Sequence, residues 1–226
     1  MDGLIPGEPH YGYRDFQLHF EEPRVLWDKE DWRSTKYRIN LDARPPYWLQ
    51  LAYQCGHESA HVKMGPARSN LQLETFAEAV TLESNKRLRH HWRDNPPFGK
   101  SKDWKSLTFE ELPKYRLSLI ERLLKRIPQD VARPKALDSR NKIEWLCEHR
   151  TKVNSLPLKD NLSRAWQHLA ASILVEDILT NGIGSWHTFL DIALQTDPSP
   201  DQDPRYRDDL PLLTTAIPDW VPEWLR

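Results

Sequence analysis

The sequence predicts a mainly α protein with a small N-terminal β element, an α+β chain in which a pair of helices is followed by a helical C-terminal region. Three observations carry this. Apolar and polar residues alternate only in short stretches before residue 42; beyond them apolar residues recur at helical spacing; and Pro and Gly residues fall between the periodic stretches.

Residues 1–12 are rich in Gly and Pro and read as a lead-in, after which Phe16, Leu18 and Phe20 alternate with polar neighbours as a short strand does. Tyr37-Arg38-Ile39-Asn40-Leu41 repeats that alternation. The polar stretch PRVLWDKEDWRS between them is readable as a turn or as one helical stretch. Pro45-Pro46 stops the second strand, and Pro46 suits the first turn of a helix, where its missing N–H costs nothing. That helix is expected over 46–63, ended by Gly65-Pro66.

A second helix is expected from Leu71, carrying LQLETFAEAVTLESNKRLRHHW with Leu73, Phe76 and Val80 on its apolar side, and Asn95-Pro96-Pro97 closes it. LPKYRLSLIERLLKRI places Leu117, Ile120, Leu124 and Ile127 on one side of an amphipathic helix. Its basic face reads as a solvated surface, because Glu110, Glu111 and Glu121 lie among the positive charges. DSRNKIEWLCEHR opens on an Asp or Ser cap, residues 161–179 make the most apolar helix of the chain, and SWHTFLDIAL is expected as a further short one. The tail beyond Thr196 is too rich in Pro and Asp for regular structure, although Trp220 and Trp224 are candidates to dock back. Three regions follow: a core with short strands and two helices over 1–100, a helical region packed on it over 101–196, and a Pro-rich tail over 197–226.

With 32 Lys and Arg against 33 Asp and Glu, the net charge of −1 gives no general attraction to nucleic acid or to anionic membranes. The first twenty residues lack the basic start and apolar run of a secretory signal, and no apolar run is long enough to span a bilayer. Two cysteines without a Cys-x-x-Cys pair fit a reducing compartment, so a cytoplasmic protein is expected, of undetermined oligomeric state. The ten tryptophans are spread along the chain, which favours core and inter-helix packing over a single base-stacking platform.

Within the first helix lies His57-Glu58-Ser59-Ala60-His61, the H-E-x-x-H pattern. One helical turn separates the two imidazoles, so both can face one ion, with Glu58 beside it as a general base for a metal-activated water. A catalytic zinc wants a third protein ligand, and the next helix offers Glu74, Glu78 and Glu83. Glu74 and Glu78 share a face, and a turn at Gly65-Pro66 folds that helix back across the first, so either carboxylate is a candidate. Tyr53, one turn before His57, is a candidate oxyanion donor; Tyr115, His90 and His91 are weaker ones. Cys55 falls at helical spacing with Trp48 and Leu51 and reads as a small core residue, and His149, His168 and His187 read as hydrogen-bonded imidazoles on separate helices.

Leu73-Glu74-Thr75-Phe76-Ala77-Glu78, following H-E-S-A-H on the previous helix, resembles the third-ligand segment of the gluzincin metallopeptidases. The resemblance covers residues 48–82 and implies a zincin-like helix pair holding Zn2+ through His57, His61 and Glu74, with Glu58 as the catalytic base and Glu78 as an outer carboxylate steadying a histidine. It also implies a zinc-dependent hydrolase acting on an amide carbonyl, with a peptide or protein as substrate. The chain differs from the large gluzincins in its size, in the short spacing of His61 and Glu74 and in lacking a G-x-M-E-N signature, so the likeness is to minimal members. The alternative expectation is a non-catalytic helical interaction protein with a structural or vestigial zinc site.

Overall fold

Asn70, Asp138 and Asp160 each stand immediately before a helix, and each turns a side-chain oxygen onto the exposed N–H groups of its first turn: Asn70 Oδ1 accepts from Leu73 N at 3.0 Å, Asp138 Oδ1 from Asn141 N at 2.9 Å and Asp160 Oδ1 from Leu162 N at 2.7 Å. The computed structural model describes residues 18–20, 24–27, 37–41, 48–64, 70–94, 112–179, 222 and 224–225. Three strands, β1 (Leu18–Phe20), β2 (Arg24–Trp27) and β3 (Tyr37–Leu41), precede five helices, α1 (Trp48–Met64), α2 (Leu71–Asp94), α3 (Leu112–Arg126), α4 (Ser139–Asn154) and α5 (Asn161–Ile173). The protein is therefore mainly α with a small β element.

β3 is the central strand. It pairs in parallel with β1, Leu18 opposite Ile39, and antiparallel with β2, Val25 opposite Ile39. Part of the stretch read as a turn or a helix is thus a strand: Arg-Val-Leu-Trp finds its hydrogen bonds on the free edge of β3. Ile39 and Leu41 are buried with Val62 of α1 in a small cluster that Leu51 and Cys55 also join, so Cys55 takes the packing role its spacing suggested.

The main core lies among α2, α3, α4 and α5, centred on the fully buried Trp166 and Phe76. It is one continuous cluster from Ala60 of α1 to Leu225, spanning both sides of residue 100. On α3 the buried stripe is Ile120, Leu123 and Leu124, continued by Ile127 just past the helix end, whereas Leu117, one turn before Ile120, is exposed. The helix read over 161–179 is regular to Ile173 and then widens into a π-helical turn, Leu174–Leu179.

The end of the chain does dock. Arg150 donates to the carbonyls of Trp224 and Leu225 and lies over the Trp166 ring, which Trp224 meets edge-on at 6.2 Å. Trp220 and the segment SWHTFLDIAL lie outside the described residues. Among the described residues, no helix is long and apolar enough to cross a membrane.

Candidate metal centre

Residues 53, 57 and 61 fall on one face of α1, and residues 74 and 78 on one face of α2, because positions four apart on a helix are neighbours. The two helices pack face to face. Where they cross, Gly56 comes so near Thr81 that a Cβ there would touch its Cγ2 at 3.4 Å. The juxtaposed faces bring His57, His61 and Glu74 together, all partly buried, with one donor atom of each within 4.8 Å of the others. Of the two carboxylates open at the sequence level, Glu74 is the one in this cluster; Glu83 pairs instead with Lys86 and Arg87 of its own helix.

His57 Nε2 lies 3.1 Å from Glu74 Oε2 and 3.2 Å from His61 Nε2, and His61 Nε2 lies 3.4 Å from Glu74 Oε1. An imidazole nitrogen has a single in-plane direction in which to donate or accept, so His57 Nε2 cannot make two straight hydrogen bonds to these neighbours at once. One cation between the three groups can use one lone pair from each. A tetrahedral ion bound at about 2.0–2.1 Å sets its ligand atoms about 3.3–3.4 Å apart. The two imidazole nitrogens, 3.2 Å apart, fit that figure, Glu74 turns Oε2 to His57 and Oε1 to His61, and the chemistry of two imidazoles and a carboxylate suits zinc.

The electrostatics follow the same geometry. Burial works against a charged His57, yet the neighbouring Glu74 and Glu78 carboxylates and the nearby charge of Glu58 outweigh it and hold its pKa well above 6.5. Burial pushes the Glu74 carboxyl up, but the charge of His61 and the contacts with His57 and His61 bring it well below 4.5. Glu58 differs. It is buried, makes no hydrogen bond or ion pair among the described residues, and has its pKa raised by burial first and by the charge of Glu74 second, against the opposing pull of His57 and His61. A buried carboxylate whose pKa is raised in this way is more basic than usual.

A second layer sits on the Nδ1 side of His57, away from the converging Nε2 atoms. Glu78, buried, has Oε2 at 3.7 Å from His57 Nδ1 and Oε1 at 2.7 Å from His168 Nδ1 of α5. Against the cost of burial, the charge and contact of His168, and then of His57, draw its pKa far below the usual carboxylate range. Tyr53, the candidate oxyanion donor, gives its hydroxyl to this same Glu78 oxygen and so faces the outer layer.

Sequence reasoning missed His168, since it stands on α5 and no spacing links it to H-E-x-x-H. His149 takes the expected structural role, Nδ1 at 2.9 Å from the Trp145 carbonyl and its ring stacked on the Trp145 indole. The side chains of Tyr115, His90 and His91, and all of His187, lie outside the described residues. No protein-family model matches the chain, and no curated protein or solved structure is significantly similar to it.

Proposed function

We propose that the chain is a zinc-dependent hydrolase of peptidase type, in which His57, His61 and Glu74 hold the ion and Glu58 is the catalytic base. The observation that carries this reading is the convergence of His57 Nε2, His61 Nε2 and the Glu74 carboxylate: the two nitrogens are 3.2 Å apart and each lies within 3.4 Å of one carboxylate oxygen, near the edge length of a zinc tetrahedron. Two imidazoles and one carboxylate form a donor set of catalytic type, distinct from the thiolate-rich sets of structural sites. When bound, the ion supplies Lewis acidity, bringing a water at its open position to a pKa near 7 and polarising a substrate carbonyl.

The chain's own groups supply the rest. Glu58, with its raised pKa and no competing partner among the described residues, takes the proton of the attacking water and returns it to the leaving amine. Glu78 keeps the His57 ring in place from the side opposite the donor atoms, leaving Nε2 free to coordinate. Tyr53 is committed to Glu78, so the donor for the developing oxyanion is another group.

The test is hydrolysis of a diverse peptide pool by the zinc-loaded chain and by Glu58→Gln. The reading predicts cleavage by the wild type and a rate about 10²–10⁴-fold lower in the variant, with zinc retained in both. A zinc-loaded wild type that cleaves nothing, or no faster than the variant, would support the non-catalytic alternative.

A further inference from the structure

We infer that His168 of α5 is a positioning residue of the metal centre, acting through Glu78 on His57. This rests on the metal reading and extends it to a third helix. An imidazole that coordinates through Nε2 carries its proton on Nδ1, and that proton needs an acceptor to fix the tautomer and the ring. In His57 this Nδ1 is buried and makes no hydrogen bond; the oxygen facing it is Glu78 Oε2, at 3.7 Å. That distance is longer than a direct hydrogen bond, so the orientation of the Glu78 carboxylate decides whether the contact can close.

Two groups set that orientation. Tyr53 donates to Oε2, and His168 Nδ1 stands 2.7 Å from Oε1, the separation of a charge-assisted contact. One oxygen is thus hydrogen-bonded by Tyr53 and the other, which makes no hydrogen bond, is faced at close range by His168, so both groups restrain the turning of the carboxylate. The three rings are also aligned: Tyr53 lies nearly parallel to His57 at 6.5 Å between centroids and to His168 at 6.3 Å. His168 is itself held on a fixed support, because the neighbouring Trp166 is fully buried and donates from Nε1 to the Leu146 carbonyl at 3.0 Å. An ion pair present only to offset the burial of Glu78 would have no bearing on the metal. Zinc affinity separates the two roles.

The experiment measures zinc affinity of the full chain by competition with a chromophoric chelator, alongside thermal unfolding of the metal-free protein. His168→Ala is expected to weaken zinc binding about 10- to 100-fold. His168→Asn, whose amide N–H can occupy the place of Nδ1, is expected to restore most of the loss. In a Glu78→Ala background His168→Ala should add nothing, because the coupling passes through the missing carboxylate. Should His168→Ala fail to fold, His168→Leu fills the space without a donor and carries the same expectation. Wild-type affinity in the Ala or Leu variant, or an equal loss with Glu78 present and absent, overturns the inference while leaving the metal site standing. A wild-type chain that takes up no zinc overturns the metal reading itself.

Discussion

On one side of α2, Leu73, Phe76 and Val80 enter an apolar core shared with α3, α4 and α5; on another, Glu74 and Glu78 meet the histidines of α1. The first contact is non-directional and depends on the area removed from water and on close packing. In the second, each buried charge depends on the placement of another, because an unpaired ion in a desolvated seam is costly. One helix thus joins a region that tolerates changes of shape but not of volume to one that tolerates changes of volume but not of charge. Damage to one should leave the other's signature intact.

Truncating the core should produce the largest effect on stability. Phe76→Ala is expected to lower the unfolding free energy by about 3–5 kcal/mol in urea titrations, while the fraction that remains folded binds zinc as the wild type does. Loss of zinc binding by that folded fraction would show that the two regions are not separable.

The polar seam should reveal itself through pH instead. In the metal-free chain Glu74 and Glu78 have folded pKa values below the ordinary 4.5, so they contribute stability above that pH and lose it as the pH falls toward their folded values. His57 is raised above 6.5, so its contribution is complete below that pH and is lost as the pH rises through its folded pKa. Metal-free stability should therefore be greatest between these limits. Glu78→Gln should flatten the acid limb, whereas Phe76→Ala should lower the whole curve without reshaping it. Chemical denaturation at a series of pH values measures both, and an unchanged acid limb in Glu78→Gln would break the comparison.

The smallest effect is expected where the two helices cross. A Cβ on Gly56 meets Thr81 at ordinary contact distance, so Gly56→Ala should stabilise by up to about 1 kcal/mol through the better helix propensity of Ala. A clear destabilisation would mean that a Cβ at position 56 meets Thr81 more closely than 3.4 Å.

The same contrast explains what could be read from the chain before its fold was known. Helices with an apolar stripe declare themselves, as α2 and α5 do, and α4 does so by its capping Asp138, because periodicity and capping are local. β2 does not, since four residues in a polar stretch become a strand only through their pairing with β3. The pairing of His57 with His61 is also local, and Glu74 could be named, alongside Glu78, from one further helix. His168 could not be, because the distance between α2 and α5 is a tertiary quantity with no trace in spacing. The π turn after Ile173 was hidden for the same reason, as was Arg150 as the group on which the expected docking of Trp224 is made.

The central claim is that His57, His61 and Glu74 are a metal site. Its most direct test is the zinc content per chain, by inductively coupled plasma mass spectrometry after zinc loading and desalting, of the wild type, His61→Ala and Glu74→Ala, each checked for native helicity. The account predicts about one tightly held zinc per wild-type chain and its loss from both folded variants. No retained metal in the wild type, or full retention in both variants, would contradict it.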